Sequence, residues 1–260
     1  MKLERSTTLS LNYLDEGAGE TTVLLMNGAS LPLTFWGSFA SSLAEQYRVV
    51  RFDARNAGDT EFSGGFTLGD IAADAAALLE HLGVERAVVV GHAWGGRVAQ
   101  VFARDFPHRV QGLVICGTGG QFPAIDTTSL REEMVAARKA GDRATWASKM
   151  EAIYCAAGFR QRDPAAFESV ADVIWNAVPN RAARWDMRAY PSEGYWGLAT
   201  VPSLLLYGRE DKFGTPQNAE ALQGRLADTR LVMLDEAGHF IVREQESRVL
   251  AELGAFIDGL

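Results

Sequence analysis

The stretch Val88-Val89-Val90-Gly91-His92-Ala93-Trp94-Gly95-Gly96 is an apolar run that breaks at a glycine-flanked turn and resumes in a helix-forming segment. Strand, tight turn and helix with a glycine two residues either side of a central position is the G-x-S-x-G arrangement. Its backbone is too close for flanking side chains and thrusts the central one out into reach of a substrate. A serine there attacks a carbonyl once a base removes its proton. The central residue of this chain is Ala93, and a methyl group can neither attack nor be activated. The sequence carries a scaffold for covalent catalysis that lacks its nucleophile.

The elements needed to hold such a turn are legible on both sides of it. Leu9–Tyr13 alternates at period two and predicts a half-buried strand closed by Gly17-Ala18-Gly19. Thr22–Met26 is a continuous apolar run, as expected of a strand covered on both faces, and it ends in the loop Asn27-Gly28-Ala29-Ser30. A helix is expected from Phe35 to Glu45, then a strand over Tyr47–Asp53. Thr67 with Asp70 three residues on predicts a capped helix whose apolar positions Ile71, Ala75, Leu78, Leu79 and Leu82 share a face, with Gly83 as its stop. Strand Ala87–Val90 feeds the turn, the helix Trp94–Asp105 follows, and Val110–Cys116 is another buried strand. Gly117-Thr118-Gly119-Gly120 lacks dinucleotide-binding spacing and reads as a turn.

Beyond that turn the pattern changes. Residues 121–198 read as helices, including Arg131–Ala140 and Ala144–Ala157, and hold four of the six tryptophans. Alternation resumes with strand Ser203–Tyr207, a helix opened by Thr215 as cap and Pro216 in its first turn, strand Arg230–Leu234 and a helix to Leu260. Alternating strands and helices imply an α/β fold: a mostly parallel sheet with helices on both faces. Residues 1–120 and 199–260 would form the core and residues 121–198 an inserted helical cap.

Bulk properties exclude several classes. A chain of 260 residues with 47% hydrophobic, 10% aromatic and 22% charged composition suits one globular core. A net charge of −8, with no basic run, argues against nucleic acid or an anionic membrane as partner. The segment Met1–Thr8 lacks the apolar run of a signal peptide, and Cys116 and Cys155 neither form a framework nor show metal-ligand spacing. A cytoplasmic protein with reduced thiols and a small-molecule substrate is expected, with no cofactor or metal. A homodimer is compatible with the sequence.

With the turn placed after its strand, the chain resembles the α/β-hydrolase superfamily over nearly its whole length. The resemblance implies an acid after a later strand, where Tyr207-Gly208-Arg209-Glu210-Asp211-Lys212 supplies Asp211. It implies a histidine after the last strand, where Glu236-Ala237-Gly238-His239-Phe240 supplies His239. Nucleophile, acid, histidine is the family's chain order. In these roles His239 moves the proton and Asp211 fixes its tautomer, while the backbone N–H groups of Ala29 and Trp94 form an oxyanion hole. Glu210 is the adjacent alternative acid. His92 reads as a packing residue, and His81 and His108 as helix-end or surface residues. Asn27-Gly28 replaces the common His-Gly start of the oxyanion loop and resembles oxoadipate enol-lactonase-like members. Arg55-Asn56-Ala57-Gly58-Asp59-Thr60 departs from the family's Arg-Gly-His-Gly-x-Ser.

The resemblance implies a hydrolase for a small to medium apolar ester, lactone or C–C bond substrate, inactivated by Ala93. Three readings of Ala93 stay open: a serine replaced so as to silence hydrolysis, an aspartate position of the epoxide hydrolase and dehalogenase kind, or a native alanine. The last would make the protein a ligand-binding member or a His–Asp base catalyst, such as a lyase or a cofactor-independent oxygenase. Among the insert's aromatics, Trp146, Tyr154, Trp175 and Trp185 are the expected pocket walls, the alternative being that they glue the insert to the core.

Overall fold

The computed structural model describes residues 1–177 and 194–260. The described strands are β1 (Lys2–Ser6), β2 (Leu9–Glu16), β3 (Thr22–Met26), β4 (Arg48–Phe52), β5 (Ala87–His92), β6 (Val110–Cys116), β7 (Ser203–Gly208) and β8 (Thr229–Leu234). They form one sheet in the order β1-β2-β4-β3-β5-β6-β7-β8. The β1/β2 and β2/β4 pairs are antiparallel and every later pair is parallel. β3, β5 and β7 are buried along their whole length, which is why they read as unbroken apolar runs instead of alternating ones.

Each of these strands feeds two cores. On one face Leu24, Val89 and Leu205 meet α2 (Leu68–His81), α3 (Trp94–Asp105) and α8 (Pro216–Gln223) through Leu78, Phe102 and Leu222. On the other face Leu25, Val90 and Leu204 meet α1 (Gly37–Ala44) and α10 (Glu246–Ile257) through Phe39 and Leu253. Between β6 and β7 lie α4 (Thr128–Lys139), α5 (Arg143–Tyr154), α6 (Phe159–Arg162) and α7 (Pro164–Asn176). Trp146, Met150, Phe159 and Phe167 of this insert join the second core. Among the described residues no helix is long and apolar enough to cross a membrane.

The local signals resolve as follows. Thr67 and Asp70 form a reciprocal capping box, the Thr67 N–H donating to Asp70 at 2.7 Å and the Asp70 N–H to the Thr67 hydroxyl at 3.2 Å. Thr215 precedes Pro216 but its side chain caps nothing; its hydroxyl instead accepts from the Asn218 side chain at 2.9 Å. The single helix expected over Phe35–Glu45 divides into a 3-10 turn at Leu33–Trp36 and α1. Gly37 stands between them at φ 46, against the Arg243 guanidinium. β1 has no counterpart in the sequence reading, because an exposed edge strand shows little hydrophobic alternation.

Candidate active site

Ala93 follows β5, Asp211 follows β7 and His239 follows β8, so three neighbouring regions of one sheet edge converge at the carboxyl ends of parallel strands, where α/β sheets bind ligands. The turn at Ala93 is built by close approach. A Cβ on Gly91 would lie 2.5 Å from the Gly95 carbonyl oxygen, and one on Gly95 would lie 2.1 Å from the Met26 carbonyl oxygen. Only glycine fits at either place, and the helix α3 starts hard against the end of β3. Ala93 itself sits at φ 53, ψ −117, in a region that costs a residue with a Cβ on the order of 1–3 kcal/mol. Its N–H donates to the Cys116 carbonyl at 2.8 Å and its carbonyl accepts from the Thr118 hydroxyl at 2.9 Å. The strained turn is held from β6.

Asp211 is buried, and its Oδ1 accepts the N–H groups of Phe213 at 2.7 Å and Gly214 at 3.0 Å. Both its oxygens lie 3.0 Å from His239 Nδ1. A carboxylate can only accept, so the proton of this bond is carried by Nδ1. The alternative acid, Glu210, is turned away and accepts the Ala157 N–H at 2.9 Å. His92 is fully buried, stacked on Phe35 at 4.9 Å, and its Nε2–H donates to the His239 carbonyl at 2.7 Å. Burial first, and the neighbouring His239 second, pull its pKa down to about 3, so it is neutral. Its ring lies 5.3 Å from that of His239 and the two residues share a cavity lining, while its hydrogen bond supports the backbone of His239.

The loop after β3, Asn27-Gly28-Ala29-Ser30, is fixed by its first residue. Buried Asn27 donates to the carbonyls of Leu31 at 3.1 Å and Phe52 at 3.2 Å and accepts from the Trp36 indole N–H. The turn it holds is closed by the Leu31 N–H to the Gly28 carbonyl at 3.1 Å, with Ser30 at φ 60. The Ala29 N–H meets no acceptor among the described residues. Trp94 is the first residue of α3, where the helix dipole is positive and backbone N–H groups point outward.

A cavity of about 730 Å³ opens over these groups, lined by Gly28, Ala29, Ala93, Trp94 and His239 on the sheet side. Phe122, Met134, Tyr154, Ile174, Phe213 and Phe240 supply apolar wall, and Arg97, Arg131 and Arg138 are its charged described residues. Tyr154 is the one expected wall residue found in this lining; it stacks on Phe213 at 5.1 Å and on Phe240 at 5.2 Å. Trp146 and Trp175 do not line it. They pack edge to face at 5.1 Å, Trp146 is 1% exposed, and Arg138 lies over both rings, so they bind the insert's helices together. Trp185 lies outside the described residues. Cys155 is buried outside the lining, its thiol pushed up by burial, and burial raises the Cys116 thiol to about 12. Sequence reasoning missed Arg131, Phe213 and Phe240; Phe240 and Phe213 follow His239 and Asp211 by one and two residues, which was the available signal. Among the described residues no group of three or more His, Cys, Asp or Glu side chains could hold a metal ion.

The chain is similar to known proteins over nearly its whole length. The family model of the alpha/beta hydrolase fold matches residues 21–245. The chain is 26% identical to the putative carbamate hydrolase RutD of Variovorax paradoxus (strain S110) over 242 residues, covering 89% of this chain and 90% of the relative. It is also 26% identical to haloalkane dehalogenase 2 of Mycobacterium bovis, covering 94% and 90%. Among solved structures, a thermophilic esterase from Thermogutta terrifontis superposes with a TM-score of 0.81 at 26% identity, covering 100% of this chain and 98% of that one. The enol-lactonase from Burkholderia xenovorans LB400 shares the fold with a TM-score of 0.79 at 21% identity, over 96% and 97% of the two chains. The family match spans most of the chain: the protein belongs to the alpha/beta hydrolase fold family.

Proposed function

We propose that the cleft is the acyl-transfer site of a hydrolase for small to medium apolar esters, lactones or C–C bond substrates. In this reading Ala93 leaves the chain able to bind such a substrate and unable to form an acyl-enzyme. One observation carries it: His239, whose Nδ1 lies 3.0 Å from both oxygens of buried Asp211, shares a cavity with an alanine held at φ 53. A strained backbone persists where the surroundings over-determine it, typically where a mechanism needs that geometry.

With a serine at position 93 the steps follow from the arrangement. The hydroxyl oxygen attacks the substrate carbonyl while His239 Nε2 takes its proton, and Asp211 balances the imidazolium charge. The carbonyl oxygen becomes an anion facing the Ala29 and Trp94 N–H groups. Collapse breaks the bond to the leaving group, which departs with the proton from His239. Water, deprotonated by the same histidine, then releases the acid. The cavity volume of about 730 Å³ lies in the range of small-molecule sites, and its apolar walls favour an apolar acyl group. The insert, residues 121–198, acts as the cap that limits substrate size, and the protein works in the cytoplasm.

A second reading has its own support. The His–Asp pair is complete without a hydroxyl, so the chain as it stands could serve as a proton-abstracting base. Intact-mass measurement after treatment with a fluorophosphonate separates the two. The hydrolase reading expects no adduct on the chain as it stands and one adduct on Ala93→Ser; a folded Ala93→Ser protein that stays unlabelled contradicts it.

A further inference from the structure

The loop carrying His239 is bound to the insert by a carboxylate that neither the dyad nor the oxyanion loop uses. Glu244, at the end of the short helix α9 (Ile241–Glu244), reaches back along the chain. Its Oε2 accepts the Gly238 N–H at 3.0 Å and its Oε1 the Phe240 N–H at 3.0 Å, so it grips the backbone on both sides of His239. The same Oε2 accepts the Ala156 N–H at 2.7 Å, from the segment that leaves α5. In the opposite direction the His239 N–H donates to the Tyr154 carbonyl at 2.7 Å. The two backbones touch: a Cβ on Gly238 would fall 2.6 Å from the Ala156 nitrogen.

We infer that Glu244 is a positioning residue, whose carboxylate sets the placement of the His239 ring and of the Tyr154 wall together by binding both backbones at once. A single acceptor shared between the two segments means that neither shifts without breaking a bond to the other. Three backbone N–H bonds converge on this one side chain. The Asp211 loop is tied to the same end of the insert, through Lys212 Nζ to the Ala152 carbonyl at 2.6 Å. Both members of the dyad thus take their placement partly from α5 (Arg143–Tyr154), and α5 contributes Tyr154 to the cavity. Arg243, the neighbouring charge, points elsewhere, to the Trp36 carbonyl and the hydroxyls of Ser38 and Ser169.

The decisive readout is the His239 Nδ1–H proton, which a hydrogen bond to a carboxylate moves downfield of the amide envelope in a proton NMR spectrum. It is measured on the chain as it stands and assigned by its loss in His239→Ala. Glu244→Ala is expected to abolish or broaden this signal at a temperature where circular dichroism still shows the native fold. Glu244→Gln, which keeps one acceptor oxygen, should weaken it less. A destabilised control remote from the site, Asp70→Ala, should leave it unchanged. In an Ala93→Ser background Glu244→Ala should lower kcat by about tenfold to a hundredfold with KM changed little, as misplacement of a catalytic group does. An unshifted Nδ1–H signal in Glu244→Ala, with only the melting temperature lowered, overturns the inference; should Glu244→Ala not fold, Glu244→Gln is read the same way. The NMR readout does not depend on a nucleophile, so failure of the hydrolase reading and failure of this one are separately visible.

Discussion

The Thr118 hydroxyl donates to the Ala93 carbonyl at 2.9 Å, so a residue two positions past the end of β6 pins the turn that follows β5. With the Ala93 N–H bound to the Cys116 carbonyl at 2.8 Å, both polar backbone groups of Ala93 are bonded to that neighbouring segment, the carbonyl also accepting the Gly96 N–H at 3.1 Å, while its φ stays at 53. Replacing Ala93 by glycine removes the strained Cβ, worth about 1–3 kcal/mol, against about 0.4–1 kcal/mol of extra unfolded-state freedom. Ala93→Gly should raise stability by about 1 kcal/mol in urea unfolding. A loss of stability would mean that the turn holds no strain.

Asp211 supports His239 by tautomer as much as by charge. In an Ala93→Ser background, Asp211→Asn should lower kcat by about 10⁴, because an amide that must satisfy the Phe213 and Gly214 N–H groups can turn its NH₂ toward the ring and favour the wrong tautomer. Initial-rate kinetics on an activated ester check this. A loss of less than tenfold would assign the acid's role to another group.

Glu244 also predicts a pH dependence of stability. Burial, with Asp211 adding to it, raises its carboxyl from the usual 4.5 to about 7, against three backbone N–H bonds that pull it down. The folded chain therefore binds this proton more tightly than the unfolded chain. The group's contribution to stability is greatest below about pH 4.5, declines as pH rises towards 7, and is level above that. Cys155 beside it is un-ionised across this window, its thiol raised by burial and by Glu244 itself. Glu244→Gln should flatten the stability profile between about pH 5 and 7, where the unmodified chain falls by at most about 1.4 kcal/mol per unit from this one proton. Parallel urea-denaturation profiles for the two proteins across that window would contradict the assignment.

The insert's aromatics divide into wall and glue. Trp146→Ala removes a ring that is 1% exposed and should cost about 3–5 kcal/mol while leaving relative rates among substrates unchanged. Tyr154→Ala, in an Ala93→Ser background, should shift preference towards bulkier acyl groups, because its ring lines the cavity between Phe213 and Phe240. Melting curves and competition between short and long acyl esters distinguish the two outcomes. The reverse pattern would exchange their roles.

What the sequence made legible follows from the range of the interactions. The Thr67–Asp70 box is set by residues three positions apart, and the Gly91–Ala93–Gly95 turn shows its glycines at close spacing, although Met26, Cys116 and Thr118, which hold it, are remote in the chain. Asp211 and His239 were placed by motif and chain order, because each follows a core strand at the same sheet edge. The tryptophans were not, because helical spacing in a segment with two faces does not say which face meets the cavity, and Trp146 and Trp175 face each other. The helix expected over Ala144–Ala157 ends at Tyr154, where Cys155 turns extended and the following Ala156 N–H meets Glu244, a contact 88 residues away along the chain. Asn27, unusual for its loop, is explained only by its partners Leu31, Phe52 and Trp36.

The most direct test is the rate of hydrolysis by Ala93→Ser and by the chain as it stands, across short- and medium-chain p-nitrophenyl esters and a set of lactones. The unmodified chain should stay at background rates. Ala93→Ser should gain on the order of a thousandfold or more on at least one substrate, since a nucleophile acting with its base and acid is worth several orders of magnitude. A folded Ala93→Ser protein that stays at background on the whole set, beside an unmodified chain that converts a substrate in a manner lost in His239→Ala, would contradict the hydrolase reading and identify a base catalyst instead.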